Sequence, residues 1–328
     1  MEKGKEILYL TQKDVEEVNL GMGEIIDILE EAFVEKSHKR IEMPPKPGIH
    51  TANNAFIHAM PCWIPKLKSA GIKWVGGYPE NQSKGLPYIT GLLILNCPET
   101  GVPLAIMDCV WITAMRTGAA SGLSARYFAN PESEILGVLG CGVQGKTNLE
   151  AVLAECKNIK KVYAYDLYPE VAEAYAKECF EKFNIEIIPV KDPKEAVVDS
   201  DVLVTAGPIV LNEEIGVIEK EWLKEGVTIT PVDFDCLFKP KQLEESVDKY
   251  YTDGIGQYSK FKSMGYFPNG PENPPEICDV ITEKIEGRTS KSEKIVTMNI
   301  GMALDDMATA IRIYERALEK GIGTKLPL

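Results

Sequence analysis

The spacing of hydrophobic residues predicts two kinds of structure in the first part of the chain. From 12 to 37, apolar side chains recur at helical intervals, which predicts one helix. Short apolar runs then alternate with turn sequences such as Lys-Gly-Leu-Pro and Pro-Glu-Thr-Gly, a pattern typical of an antiparallel sheet. We expect the strands of this sheet at 55–60, 71–75, 89–96 and 103–107. A stretch rich in alanine and other small residues, 113–128, predicts a buried helix.

At Glu134 the pattern changes to a regular alternation of strands and helices. The expected strands are 135–139, 161–165, 185–190, 202–205, 227–232 and 250–252, with helices that end near 156 and span 169–183. This alternation predicts a doubly wound parallel sheet of the Rossmann type, and hence an α/β fold class. A strongly amphipathic segment, 303–320, ends at Gly321 and predicts a last helix that folds back onto the N-terminal part.

Composition and charge narrow the class of protein. The chain has 328 residues, of which 45% are hydrophobic and 26% charged, as expected of a soluble globular protein of more than one domain. A net charge of −13 repels phosphate backbones and anionic membrane surfaces, which argues against nucleic acid and lipid as partners. The eight cysteines form no CxxC pair, and no signal peptide or membrane-length apolar run is found. We therefore expect a cytoplasmic protein with reduced thiols.

A glycine-rich turn follows the first strand of the alternating region. A turn placed between a strand and a helix lets the backbone approach a pyrophosphate, and the helix N-terminus offers it free N–H groups. Asp166 closes the next strand, where a carboxylate can accept both ribose hydroxyls of NAD and repels the 2′-phosphate of NADP. The motif predicts an NAD site with contacts from Gly140, Gly142, Val143, Gln144, Gly145 and Asp166.

Short motifs along nearly the whole chain resemble those of the ornithine cyclodeaminase/μ-crystallin family, which includes alanine dehydrogenases and ketimine reductases. They are Met43-Pro44-Pro45-Lys46, Met60-Pro61, Gly71-Ile72-Lys73-Trp74, Lys84-Gly85-Leu86-Pro87, Pro98-Glu99-Thr100-Gly101, Met107-Asp108, Thr113 to Ala120, Gly140 to Gln144, Ile300 to Asp306 and Gly321 to Thr324. The resemblance implies an α+β substrate-binding and dimerisation domain, 1–128 with 303–328. It also implies an NAD-binding Rossmann domain, 129–302, and a homodimer.

The resemblance also indicates which residues meet the substrate. A small amino or imino acid brings a carboxylate into a partly dry pocket, which must supply cations. Lys46, Lys73 and Arg116 are the candidates, with Arg40 as a substitute for Lys46. Asp235, which we expect at the end of a strand, takes the position of the family's catalytic aspartate, which activates water or relays a proton. The predicted catalytic residues are Asp235 and Lys73, and the predicted substrate contacts are Lys46, Lys73, Arg116, Asp235, Ile300 and His58. Further cofactor contacts are expected from Arg116, Thr117, Tyr88, Thr205, Gly207, Val232, Lys239 and Asn299.

Four positions depart from the family pattern. Asp233 and Phe234 stand where small residues are common, and if Asp233 and Asp235 share a strand face, each raises the pKa of the other. His58 occupies a position where the ornithine branch is expected to carry an acidic residue, so ornithine is disfavoured as substrate. Tyr88 replaces a threonine expected near the nicotinamide. The three histidines of the chain form no nucleophilic or metal-binding pattern, and no metal is expected.

These features predict hydride transfer between NAD and the α-carbon of a small L-amino acid or its imine. Release of ammonia by water gives an amino acid dehydrogenase, and reduction of a cyclic imine gives an imine reductase; these two are preferred because of His58. Attack by a side-chain amine gives a cyclodeaminase that recycles its cofactor, which is the alternative. A nucleotide-binding protein without catalysis is a second alternative, against which Lys73, Arg116 and Asp235 argue together.

Overall fold

The chain divides into two units, Met1–Arg116 with Met302–Leu328, and Thr117–Gly301. The computed structural model describes residues 2–52, 54–211 and 214–328. Both chain ends contribute to the first unit, and its first boundary lies at 116/117, whereas the sequence suggests 128/129. Close packing explains the shift, because a Cβ at Gly118 would lie 2.4 Å from the carbonyl oxygen of Thr147. The segment after Arg116 therefore packs within the second unit.

The first unit is built on a seven-stranded sheet. Its strands are β1 (Glu6–Leu10), β2 (Gly48–Ala52), β3 (Ala55–Ile64), β4 (Ser69–Gly77), β5 (Ile89–Asn96), β6 (Pro103–Asp108) and β14 (Thr324–Pro327). They follow the order β14-β1-β6-β5-β4-β3-β2, with every pair antiparallel except β1 with β6. The four predicted strands are present, each as long as predicted or longer, while β1, β2 and β14 were not predicted.

The helices of this unit are α1 (Gln12–Glu17), α2 (Met22–Ser37) and α8 (Ala303–Lys320). The prediction of one helix from 12 to 37 is wrong, because a non-helical segment separates α1 from α2. Asn19 has a φ of +53°, which ends the first helix, and Gly21 caps the second in extended conformation. A short 3-10 helix, Pro79–Lys84, precedes β5.

Alternation along β4 and β5 sends apolar side chains to both faces of the sheet. Lys73 and Val75 point to the side covered by helices, whereas Trp74 and Leu92, which face each other across β4 and β5, point outward. Trp74 is 49% exposed and Leu92 is 46% exposed. Helix α8 contacts β3, β4 and β5, so it covers the inner face at the position of Lys73.

The second unit contains the predicted parallel sheet. Its strands are β7 (Ile135–Leu139), β8 (Lys161–Tyr165), β9 (Glu186–Val190), β10 (Val202–Thr205), β11 (Thr228–Pro231), β12 (Lys249–Thr252) and β13 (Ile295–Met298). The order is β12-β13-β11-β10-β7-β8-β9, and all pairs are parallel. The chain moves outward from β7 in both directions, as in a doubly wound fold. The Rossmann prediction is confirmed, with β13 as an additional strand.

The helices of this unit are α4 (Val143–Glu155), α5 (Pro169–Phe183), α6 (Ile255–Ser263) and α7 (Ile277–Ile281), with 3-10 helices at Pro193–Ala196 and Lys220–Trp222. Helix α3 (Val110–Phe128) contains the boundary between the units. Because the strands are parallel, their carboxyl ends lie along one edge, where ligands of such sheets bind. Among the described residues, no helix is long and apolar enough to cross a membrane.

Candidate functional site

The glycine-rich turn connects the end of β7 to the start of α4. Gly140 has a φ of +98°, and a Cβ there would lie 2.4 Å from the carbonyl oxygen of Ala206. A Cβ at Gly145 would lie 2.1 Å from the carbonyl oxygen of Gly140, so neither position has room for a side chain. Gly142, in contrast, has open space where its side chain would be, and Val143 after it is exposed. The open side of the turn leaves the start of α4 accessible to a phosphate group.

Asp166, directly after β8, is hydrogen-bonded to this turn. Its Oδ2 accepts from the backbone N–H of Cys141 at 2.9 Å, and its Oδ1 accepts from Tyr168 N–H at 3.1 Å. Each carboxylate oxygen has a second lone pair, which leaves acceptor capacity for ribose hydroxyls. Asp166 therefore both positions the glycine-rich turn and lies at the end of the strand next to it.

The carboxyl ends of β10 and β11 carry the next group of predicted cofactor residues. Val232 N–H donates to the carbonyl oxygen of Thr205 at 2.9 Å and continues the pairing of the two strands. The Thr205 hydroxyl donates to Oδ1 of Asp233 at 2.5 Å, and Gly207 N–H donates to Oδ2 at 3.1 Å. Asp233 is fully buried, and desolvation raises its pKa to about 7. The sequence reasoning did not assign Asp233 to this edge.

Asp233 and Asp235 do not share a strand face, although the charge of Asp235 still contributes to the raised pKa of Asp233. Strand β11 ends at Pro231, and Phe234 between the two carboxyls has a φ of +65°. The aromatic ring of Phe234 is buried against Phe261 and Phe267, which holds this unusual conformation. Asp235 is half-buried, and desolvation also raises its pKa, while the positive charge of Lys262 opposes the shift.

The remaining predicted residues of this unit occupy varied environments. Lys239 is partly exposed and forms an ion pair with Glu219, so its charge is already partnered. Asn299 is buried and donates to the hydroxyl of Ser124 at 3.2 Å. Ile300 is buried in the hydrophobic core that also contains Phe234. Thr117 is half-buried in α3.

A cluster of four buried charges lies under the sheet of the first unit. Lys73 has no exposed surface, and its Nζ donates to Oδ1 of Asp306 at 2.7 Å and to the hydroxyl of Thr113 at 3.3 Å. Burial lowers the pKa of Lys73, and the negative charge of Asp306 opposes that effect. Arg116 lies beside them, with Nε 3.1 Å from Oδ1 of Asp306 and Nη1 3.6 Å from Oδ2 of Asp305. The sequence reasoning predicted the two cations but not the carboxylates that hold them.

Some N–H groups of the Arg116 guanidinium form no hydrogen bond of good geometry within the described residues. Within the described part of the chain, neither Nε nor Nη1 makes a hydrogen bond of good geometry, although both are buried. Oδ2 of Asp306 is likewise buried without a donor there. Buried polar atoms of native proteins normally have partners, which can be protein groups, ordered water or a ligand.

The other predicted residues of the first unit lie on β3 and in the loops before β2 and β5. Met60 is opposite Lys73 across β3 and β4, and His58, two residues along β3, lies on the same face and stacks on Phe56 at 4.2 Å. Lys46 is half-buried in the loop before β2.

The loop of Lys46 passes near the start of α8, because the Met43 sulfur accepts from Leu304 N–H at 3.3 Å. Arg40 is an exposed partner of Glu35 at 3.1 Å. Tyr88 is half-buried before β5, and burial raises its pKa.

The cysteines of the described residues are not part of the buried charge cluster of the first unit. Within the described residues the eight cysteines are free, and six of them are buried. Burial raises the pKa of the Cys109 thiol, near Lys73, to about 11, which keeps it protonated at neutral pH. The chemistry of the first unit therefore rests on its buried ammonium, guanidinium and carboxylate groups.

Known proteins share this fold and much of the sequence. The chain is 34% identical over 332 residues to alanine dehydrogenase of Archaeoglobus fulgidus, covering 98% of each chain. It is similar to the structure of Thermococcus litoralis Delta(1)-pyrroline-2-carboxylate reductase in complex with NADH and L-proline, with a TM-score of 0.87, 33% identity, and coverage of 97% of this chain and 99% of that one. An archaeal alanine dehydrogenase dimer with bound NAD gives a TM-score of 0.87 and 33% identity, with coverage of 98% and 99%.

The sequence profile of the ornithine cyclodeaminase/mu-crystallin family matches residues 5–321, which is nearly the whole chain. The ordered motifs from Met43 to Thr324 had indicated the same assignment, which is confirmed. The two solved structures cover 97% and 98% of this chain, so the similarity extends over both units. This chain belongs to the ornithine cyclodeaminase/mu-crystallin family.

Proposed function

We propose that this protein is an NAD-dependent oxidoreductase that transfers a hydride to or from the α-carbon of a small L-amino acid or its imine. Relatives with these activities, alanine dehydrogenase and Delta(1)-pyrroline-2-carboxylate reductase, cover nearly its whole length. The first unit has the cations that hold an α-carboxylate, and the second has the turn that accepts a dinucleotide. Each unit thus contains the groups that one half of the reaction requires.

The observation that carries the proposal is the buried cluster of Lys73, Arg116, Asp305 and Asp306. A purely structural ion pair is expected to complete its hydrogen bonds, whereas Nε and Nη1 of Arg116 are ion-paired but make no hydrogen bond of good geometry within the described residues. A substrate carboxylate would supply acceptors for a planar guanidinium and for the Lys73 ammonium. The two aspartates hold the cations in place, and Lys46 adds a third positive charge from its loop. The role of Lys46 follows from the family motif.

The residues of the second unit fit NAD. Gly140 and Gly145 allow the close turn, Gly142 leaves the start of α4 open, and Asp166 offers a carboxylate to ribose hydroxyls. NAD, when bound, accepts or supplies the hydride at its nicotinamide ring. The same carboxylate would repel the extra phosphate of NADP, so NAD is the proposed cofactor.

Asp235 is the proposed acid–base residue. Its carboxyl is half-buried, and its raised pKa brings it closer to the range in which a carboxyl can both take and give a proton near neutrality. In amino acid oxidation it would take a proton from the water that attacks the imine carbon, and in imine reduction it would deliver a proton to the substrate nitrogen. Lys73, as ammonium, would stabilise the carboxylate and the developing charge beside it.

His58 favours a dehydrogenase or imine reductase over a cyclodeaminase. It lies on the same face of the sheet as Lys73, two residues along β3 from Met60, the cross-strand partner of Lys73. A cyclodeaminase acting on a diamino acid would benefit from a carboxylate there to hold the side-chain ammonium, and an imidazole carries no negative charge for that purpose. The preferred substrates therefore lack a side-chain amine.

We also propose that the protein forms a homodimer through the outward face of the first unit's sheet. Trp74 pairs with Leu92 and Ile72 pairs with Ile94 across β4 and β5, and Trp63 on β3 adds a further exposed ring. Contiguous apolar surface of this kind is typical of protein interfaces. A relative of 33% identity has been described as a dimer, which supports this proposal.

The experiment that tests the function is absorbance at 340 nm with NAD or NADH against L-amino acids, 2-oxo acids with ammonium or methylamine, and cyclic imines. Ammonia release is measured in parallel. We expect a net NADH change with at least one amino acid or imine, and its loss in Lys73→Met and Asp235→Asn. Ammonia from a diamino acid without a net NADH change would establish the cyclodeaminase instead. NADH binding without turnover of any substrate would contradict the enzymatic proposal.

A further inference from the structure

The loop after β11 directs two neighbouring carboxyls into different surroundings. Asp233 faces the end of β10, where it accepts from the Thr205 hydroxyl and from Gly207 N–H and has no exposed surface. Asp235, beyond the left-handed Phe234, interacts electrostatically with Lys262. The two groups are therefore not interchangeable, and the acid–base proposal for Asp235 gives Asp233 no role.

The order of the strands locates Asp233 relative to a bound dinucleotide. The glycine-rich turn after β7 is placed for the pyrophosphate, and Asp166 after β8 is placed for the adenosine ribose. A dinucleotide with one end at β8 must extend from the turn toward the strands on the other side of β7. Those strands are β10 and β11, about 5 Å apart from each other. Asp233 lies at the carboxyl end of this pair, where the nicotinamide half is expected.

We infer that Asp233 is a positioning residue that sets the preference of the protein between oxidised and reduced NAD. This inference rests on the proposed NAD site. The oxidised nicotinamide ring carries a positive charge, and the reduced ring is neutral. An ionised carboxylate close to the ring, in a site with little water, stabilises the oxidised form. The same charge favours reduction of an imine, because that reaction leaves oxidised NAD on the protein.

Protonation of Asp233 removes this charge without removing the contacts that hold the turn. As a carboxylate, Asp233 accepts from both Thr205 and Gly207; as a carboxylic acid, it can donate to the Thr205 oxygen and still accept from Gly207. Because desolvation raises its pKa to about 7, the change falls near neutral pH. Titratable neighbours of Asp233 include Asp235 and Cys236 on its own loop, whereas β10 and the turn after it contribute neutral donors.

Asp233→Asn is a suitable variant, since an asparagine reproduces the hydrogen bonds of the neutral acid in nearly the same volume. Asp201→Asn is the matched control. Asp201 also accepts two backbone hydrogen bonds, from the N–H groups of Glu134 and Ile135. It lies at the amino ends of β7 and β10, at the opposite edge of the sheet from the carboxyl ends where the cofactor is proposed to bind. Histidines do not complicate the pH profile of this unit, because the chain has them only at positions 38, 50 and 58.

The experiment measures the dissociation constants of NAD and NADH by calorimetry from about pH 6 to about pH 8.5. In the wild type, we expect the preference for the oxidised form to rise with pH by a factor on the order of ten, because the carboxylate population increases. In Asp233→Asn the ratio should stay at its low-pH value, and in Asp201→Asn it should follow the wild type. The ratio does not depend on how much of a variant is folded.

Two results overturn the inference and leave the proposed function intact: a wild-type ratio that does not change with pH, or a ratio in Asp233→Asn that follows the wild type. The first is measured on the wild type alone and needs no folded variant. Failure of the wild type to bind either form of the cofactor would instead overturn the proposed NAD site. The two failures are thus distinguishable.

Discussion

Replacing Asp306 with asparagine leaves the ammonium of Lys73 buried beside a neutral group. In the native cluster, Nζ of Lys73 is 2.7 Å from Oδ1 of Asp306, and neither side chain reaches solvent. Removal of one partner of a buried ion pair typically costs about 3–5 kcal/mol, because the remaining charge is desolvated without compensation. For a domain of this size, that loss corresponds to a decrease in melting temperature of roughly 10 °C.

The pH dependence of this loss distinguishes the charge effect from a packing effect. Burial already lowers the pKa of Lys73, and without Asp306 the opposing effect disappears. Between the folded and unfolded pKa values of this lysine, the unfolded state binds the additional proton, so the stability of the variant should rise with pH. We expect Asp306→Asn to lose more free energy of unfolding at pH 6 than at pH 9, measured by urea denaturation.

Two further variants control this prediction. Lys182 and Glu150 are also 2.7 Å apart but partly exposed, so Lys182→Met should change stability by about 1 kcal/mol or less. The double variant Lys73→Met/Asp306→Leu removes both charges and should be more stable than Asp306→Asn alone. A loss below about 1 kcal/mol in Asp306→Asn would refute the reasoning. A double variant no more stable than Asp306→Asn would refute it equally.

Three other predictions concern packing, assembly and the cofactor. Gly118→Ala should destabilise the protein by about 1–3 kcal/mol in urea denaturation, since its Cβ would lie 2.4 Å from the Thr147 carbonyl oxygen. Gly23→Ala is its helical control, because its Cβ would meet nothing within 4 Å. Trp74→Glu should convert a dimer to a monomer in light scattering, and an unchanged mass would contradict the proposed interface. Asp166→Ala should weaken NADH binding at least about tenfold and reduce the preference over NADPH, and a retained preference would exclude its role.

The bounds of helices could be predicted closely from the sequence where residues that favour helix ends stand at their termini. Helix α5 spans the predicted 169–183, since Pro169 stands at its first turn and Asn184 ends it with a φ of +53°. Helix α8 spans the predicted 303–320 and ends at Gly321 with a φ of +67°. Strand β13 was not predicted, because its four residues follow a long polar stretch and pair only with distant strands.

The candidate site was predictable only in part. Lys73 and Arg116 could be singled out because a charge in an apolar strand or a small-residue helix requires a reason. Their carboxylate partner Asp306 is 233 residues from Lys73 in the chain, a pairing that no local pattern reveals. The direction of Asp235 relative to Asp233 likewise depends on the backbone conformation of Phe234, and the sequence alone suggests an extended strand there.

The discontinuous first unit has a consequence for the order in which this protein folds during synthesis. Residues 117–301 form one continuous unit, which can be completed before α8 and β14 leave the ribosome. The first unit stays incomplete until the C-terminal segment is synthesised, because Lys73 lacks its counterion Asp306 and β1 lacks its neighbour β14 until then. Nascent chains of this protein should therefore depend on chaperones mainly through their first 116 residues.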